Sequence, residues 1–137
     1  MIDELNTEHQ FILDALVEAI CGIDAEGTIT FCNDALSQMT GHSKEEIVGK
    51  NAHDLLHHTR ADGNRYPREQ CDLSQAILGG KPRLVVGGPL WRKDGSYIPA
   101  EYCGRPTQRF GGRTCYVATI RDLSEIERAK EALRRSE

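Results

Sequence analysis

The sequence has no apolar run approaching the roughly eighteen residues that cross a bilayer, which excludes a helical membrane span. Nor has it a surplus of basic residues. Its 17 Lys and Arg stand against 21 Asp and Glu, interspersed along the chain for a net charge of −4. The electropositive face that a phosphate backbone requires is therefore missing, which argues against nucleic-acid binding. The N-terminus, Met1-Ile2-Asp3-Glu4-Leu5, lacks the basic start and apolar stretch of a secretion signal, so a cytoplasmic chain is expected. There is no G-x-S-x-G, no H-E-x-x-H, no phosphate-binding loop and no carboxylate pair in a clear site. Catalysis is not expected of this chain. The five cysteines, Cys21, Cys32, Cys71, Cys103 and Cys115, are odd in number and contain no C-x-x-C pair. Four lie within or beside apolar segments, where reduced thiols act as small hydrophobes, and their spacing does not cluster ligands for zinc or an iron–sulfur centre.

With 137 residues the chain is the length of one domain, large enough to fold without staples. Ile2, Leu5, Ile12 and Leu16 recur at helical spacing and predict an amphipathic helix over residues 3–16. Alternation at Ala19, Cys21 and Ile23, a turn at Asp24-Ala25-Glu26-Gly27 and a strand over 28–32 predict a hairpin. Asn33-Asp34 offers a helix cap with Gly41 as the stop, and Ser43-Lys44-Glu45-Glu46 has the form of a capping box. One helical turn over 51–56 precedes a polar stretch, 57–66, with a turn at Asp62-Gly63. Pro67 is placed to open a longer helix carrying Cys71, Leu73, Ile77 and Leu78 and ending at Gly79-Gly80. Strands over 83–91 and 97–105 flank the Asp94-Gly95 turn, and a third, 114–121, follows Gly111-Gly112. A last helix starts at Leu123, with surface pairs expected at Glu125–Arg128, Glu127–Lys130 and Glu131–Arg135. Strands grouped apart from helices predict an α+β domain: one antiparallel sheet with helices on one face.

The order and spacing of Ile23-Asp24-Ala25-Glu26-Gly27-Thr28-Ile29, Asn33-Asp34-Ala35, Met39-Thr40-Gly41, Glu46-Ile47-Val48-Gly49-Lys50, Arg92-Lys93-Asp94-Gly95-Ser96 and Arg121-Asp122-Leu123-Ser124 resemble a PAS domain with its C-terminal PAC portion. The resemblance covers residues 9–128. It implies a five-stranded antiparallel sheet in the order 2-1-5-4-3, short helices closing over one face, and flanking helices at both ends. The chain then divides into a flanking helix (1–16), a core with its PAC portion (17–122) and the start of a linker or signalling helix (123–137). The resemblance further implies a sensory domain that relays a ligand or redox signal to an output domain in the same chain, such as a histidine kinase, a diguanylate cyclase or a transcription regulator. A homodimer through the flanking helices is implied too. A ligand-free dimerisation and relay module is the alternative. Asp122-Leu123-Ser124 is similar to the D-x-T relay motif of the family, with Ser in place of Thr; plain helix capping by Asp122 or Ser124 is the other reading.

The family's interior pocket maps onto Ile29, Leu55, Leu73, Ile77, Val85, Ala118 and Ile120, with Trp91 as either a ligand contact or an anchor for the sheet. Ala52 stands where flavin photoreceptors of the family carry a reactive Cys, and Ile120 where they carry a Gln, which argues against a covalent flavin adduct. The absence of C-x-x-C-H argues against c-type haem, and Glu69 occupies the position of the family's haem-ligating His. Haem b, a redox flavin or a small organic ligand stay open. The segment from His57 to Cys71 is the most individual part of the chain. His53, His57, His58, Asp62 and Cys71 are candidates to converge on a metal, or Cys71 to act as a redox-sensing thiol. The alternative is that the adjacent histidines are surface residues and Cys71 is simply packed.

Overall fold

The computed structural model describes residues 2–108 and 114–136. Helix α1 (Ile2–Ala15) leads into strands β1 (Ala19–Asp24) and β2 (Ile29–Cys32). Three short helices come next: α2 (Asp34–Thr40), α3 (Lys44–Ile47) and α4 (Ala52–Leu56). A 3-10 turn (Arg68–Gln70) and α5 (Asp72–Gly79) precede β3 (Arg83–Trp91), β4 (Tyr97–Gln108) and β5 (Thr114–Asp122), and α6 (Ser124–Ser136) closes the chain. The strands form one antiparallel sheet in the order β2-β1-β5-β4-β3, as the resemblance implies. The Gly111-Gly112 turn lies outside the described residues.

Strand alternation decides which side chains are buried. Ala19, Cys21 and Ile23 on β1, Ile98, Ala100 and Tyr102 on β4, and Tyr116, Ala118 and Ile120 on β5 all turn to the helix-covered face. Leu36, Ile47, Ala52 and Leu73 meet them from the helices. Each fully buried aliphatic side chain contributes roughly 1.5–3 kcal/mol, so this layer is the main source of stability. The first strand also sets where the chain enters and leaves: Ala19 pairs with Ile120 across β1 and β5.

The helix ends follow from their sequences. Ser43 and Glu46 exchange side-chain and backbone bonds in a complete capping box, and Gly41 closes α2 in the left-handed conformation (φ 79°). Asn33 does more than cap α2. Its Oδ1 accepts from the amides of Leu36 (3.2 Å) and Ile20 (3.1 Å), while its Nδ2 donates to the carbonyls of Leu13 and Glu18 (both 2.9 Å). All four bonds are made with no exposure to solvent, so one side chain joins the ends of α1, β1 and α2. Lys44 reinforces the same corner by bridging Asp14 and Asp34, each at 2.9 Å.

Two glycines are required by aromatic neighbours. A Cβ on Gly104 would stand 2.2 Å from the Tyr116 ring, and one on Gly22 would stand 2.1 Å from Phe31. The Tyr116 ring crosses Gly104 so that its hydroxyl donates to the Lys81 carbonyl (3.1 Å), tying β5 to the segment after α5.

Two expectations are corrected. The helix expected from Pro67 is split, because Cys71 takes extended angles (φ −80°, ψ 117°) and turns its side chain into the core. Helix α1 forms where its periodicity places it, and its Phe11 and Ile12 are 74% and 56% exposed. On α6, Glu131 pairs with Arg134 and Arg135, whereas among the described residues Glu125–Arg128 and Glu127–Lys130 make no ion pair.

Candidate functional site

Between α5 and the edge strand β3 a narrow cleft of about 40 Å³ reaches into the interior. Alternation along β4 brings Tyr102 to its inner end, and a shift in the β3–β4 register between Val86 and Gly88 places Gly88 and Pro89 along its wall. His57 is the residue that ends α4, and Cys71 stands at the start of α5. Both turn inward and are buried, as is Leu73, while Tyr66 and the exposed Asp72 complete the lining.

The inner end is polar and uncharged. The His57 and Tyr102 rings lie 4.5 Å apart at an angle of 50°. Burial, with smaller contributions from His53 and His58, depresses the His57 pKa to about 3, so the imidazole is neutral at physiological pH. Burial holds the Tyr102 phenol well above its ordinary value. Tyr102 is 2% exposed, and its hydroxyl has no hydrogen-bond partner among the described residues. Leaving such a group unpaired costs about 1–3 kcal/mol.

His53 is also buried. Its Nε2 lies 2.6 Å from the Tyr66 carbonyl. A carbonyl only accepts, so Nε2 carries the proton and Nδ1 is left as a buried acceptor without a partner among the described residues. His58 alone of the three is exposed: it stacks on Trp91 at 5.5 Å and bonds the Thr59 hydroxyl. Among the described residues no three His, Cys, Asp or Glu side chains come together in a metal-binding arrangement. His53, His57, His58 and Cys71 thus share a region without forming one coordination sphere, and Asp62 instead caps its own turn through the Asn64 amide.

Trp91 does not line the cleft. Its indole N–H donates to the Thr59 carbonyl and its ring also meets Tyr97, at 5.0 Å. It straps the 57–66 segment, a small hairpin bridged at Thr59 and Arg65 with Arg60 over the Tyr66 ring, to the sheet edge. Of the other residues expected in the pocket, Leu73 lines the cleft. Ile29, Ala118 and Ile120 are core residues, and Leu55 packs against the core. Ile77 also packs on the core and lines a separate groove of about 110 Å³ beside Gly27 and Asn51. The Val85 side chain lies outside the described residues. Sequence reasoning missed Tyr102, Tyr66, Gly88 and Pro89; the inward phase of Ala100, Tyr102 and Gly104 was the signal that could have found Tyr102.

Haem and flavin do not fit this interior. Ligand pockets generally span about 300–1,000 Å³, against about 40 Å³ for this cleft. Glu69, at the haem-ligand position, is exposed.

At the far end of the core, Asp122 Oδ1 accepts from the Ser124 amide (2.8 Å), and the Leu123 amide donates to the Pro99 carbonyl (2.9 Å). The start of α6 is thereby fixed to both β5 and β4. No side chain of the described α6 is buried, and Ile126 and Leu133 are exposed. No described helix is long and apolar enough to cross a membrane.

The family described as the PAS fold matches residues 7–123. A protein of Azorhizobium caulinodans is 28% identical over 127 residues, 90% of this chain and 17% of its own length. Two-component system protein A of Emericella nidulans is 28% identical over 131 residues, 94% of this chain and 18% of its own. The chain thus spans less than a fifth of the curated relatives it matches. Among solved structures, the PAS domain of an HTR-like protein from Haloarcula marismortui superposes with a TM-score of 0.68 at 20% identity, covering 88% of this chain and 93% of that one. A PAS domain from a two-component sensor histidine kinase gives 0.69 at 15% identity, covering 89% and 99%. At these identities the structures establish the fold alone.

Proposed function

The chain belongs to the PAS family, and on that premise we propose that it is the sensory and relay domain of a longer signalling protein. In this reading a small ligand in the interior alters the packing of the sheet, and β5 carries the change to α6 and on to an output domain of the two-component type. Asp122 and Ser124 act as the relay point, and α1 and α6 pair with a second copy in a homodimer. The observation that carries the reading is the continuity of β5. One strand contributes Tyr116, Ala118 and Ile120 to the core and ends at Asp122, whose carboxylate accepts from the first amide of α6, with no intervening loop. The naming of a fungal relative as a two-component system protein, and the open apolar faces of α1 and α6, support it. A cytoplasmic location suits such a protein, and a diguanylate cyclase is the other output class that fits.

The test is a fusion of residues 1–137 to the catalytic core of a histidine kinase. Asp122→Ala is expected to shift basal autophosphorylation by about threefold or more, since losing its hydrogen bond to the Ser124 amide removes about 1 kcal/mol from the junction. An unchanged rate in a dimeric, folded fusion would remove Asp122 from the relay. The small volume of the cleft favours a second reading, a ligand-free relay. It requires that no added small molecule alters the fusion's activity.

A further inference from the structure

The cleft between α5 and β3 has features that a merely imperfect packing seam does not need. One water needs about 10–15 Å³, so about 40 Å³ accommodates two or three heavy atoms. Its inner end holds two uncharged hydrogen-bonding groups. The Tyr102 hydroxyl has no hydrogen-bond partner among the described residues, and the His57 imidazole lies against its ring at 4.5 Å. Buried hydroxyls are almost always paired, so an unpaired one facing a neutral imidazole marks a place for an outside partner.

Charge narrows the class of occupant. Among the described residues no Lys or Arg lines the cleft, and the one carboxylate there, Asp72, stands on the exposed outer wall and faces Arg83 at 3.7 Å. An anion inside would be desolvated without a counter-ion, at a cost of several kcal/mol, and a cation would find only Asp72, which already faces Arg83. The volume sets the upper size limit, and Leu73, Pro89 and the His57 and Tyr102 rings are among the residues that line it.

We infer that this cleft binds a small uncharged hydrogen-bonding molecule of two or three heavy atoms, anchored by the Tyr102 hydroxyl and the His57 imidazole. The inference rests on the sensor reading above and names the ligand class for it.

Formamide and formate are close in shape and differ in charge, and propionamide adds bulk without charge. Titrating each into the 137-residue chain and following backbone amides by NMR separates the three properties. Formamide is expected to give saturable shifts at Leu73, Gly88 and Tyr102, and formate and propionamide none. Tyr102→Phe is expected to weaken formamide about fivefold, the loss of one neutral hydrogen bond. Binding of formate or propionamide as tight as formamide overturns the inference, as do absent or unsaturable formamide shifts, or a folded Tyr102→Phe chain that binds unchanged. The comparison of formamide with propionamide needs no variant, so it decides the matter even if Tyr102→Phe fails to fold. If these tests fail while the kinase fusion still answers to Asp122→Ala, the ligand class falls and the relay stands.

Discussion

Replacing His57 by Phe should remove much of the acid sensitivity of this fold. The imidazole has a pKa of about 3 in the folded chain, against an ordinary value of 6.5 when unfolded. A depressed value means that the unfolded chain takes up the proton first. The stabilisation is therefore complete above pH 6.5 and is lost as the pH falls toward 3. At about pH 5 the unfolded His57 is protonated roughly thirtyfold over its neutral form while the folded one is not, a loss of about 2 kcal/mol. His53, lowered first by burial, adds in the same direction. The carboxylates do not confuse this window. Glu46, held at about 2 by Lys93 and the Ser43 amide, loses its contribution only below its ordinary value of 4.5. Asp14, where burial is outweighed by bonds from Lys44, Asp34 and Gln10, does so below 3.8. Phe preserves a ring against Tyr102 and carries no proton. Urea denaturation at about pH 7.5 and pH 5 should show the parent chain's midpoint falling by about 1 M. The His57→Phe midpoint should fall by less than half as much. A parent chain equally stable at both pH values, or a variant that falls as far as the parent, would refute the reasoning.

Asn33→Ala should cost about 3 kcal/mol in urea denaturation, because it removes a helix cap and leaves amides and carbonyls of three elements unpaired together; a loss under about 1 kcal/mol would show that the corner is held by Lys44 instead. Gly104→Ala should destabilise by about 1–3 kcal/mol, since the new methyl displaces the Tyr116 ring. Adding Tyr116→Val should abolish that penalty in a double-mutant cycle, and a cycle with no coupling would place the strain elsewhere.

Much of the fold was legible because its signals are local. The capping box at Ser43, the left-handed stop at Gly41 and the Asp94-Gly95 turn are each fixed by residues a few positions apart. The site was less legible because its members meet only in space. His57 sits in a run of polar residues that reads as surface, yet the end of α4 turns it onto Tyr102, a distant residue of β4. Cys71 breaks a helical pattern for the sake of a core contact that the pattern cannot show. Asn33 was readable as a cap from Leu36, three residues on, but not as a hub, since Leu13 and Glu18 lie on the far side of β1. Of the apolar residues that the resemblance pointed to, Leu73 lines the cleft, which lies at the β3 edge beside a register shift.

The pairing of Ala19 with Ile120 has a geometric consequence for any longer chain that carries this domain. Facing residues of antiparallel strands lie about 4.5–5.5 Å apart, so the strand that enters the core and the strand that leaves it are joined at almost a single point. The domain can therefore be spliced into a host chain without prying its two flanks apart. That spacing is also fixed while the sheet holds. In the relay proposed above, a signal would reach the flanks as a rotation or tilt of one against the other, and not as a change of span.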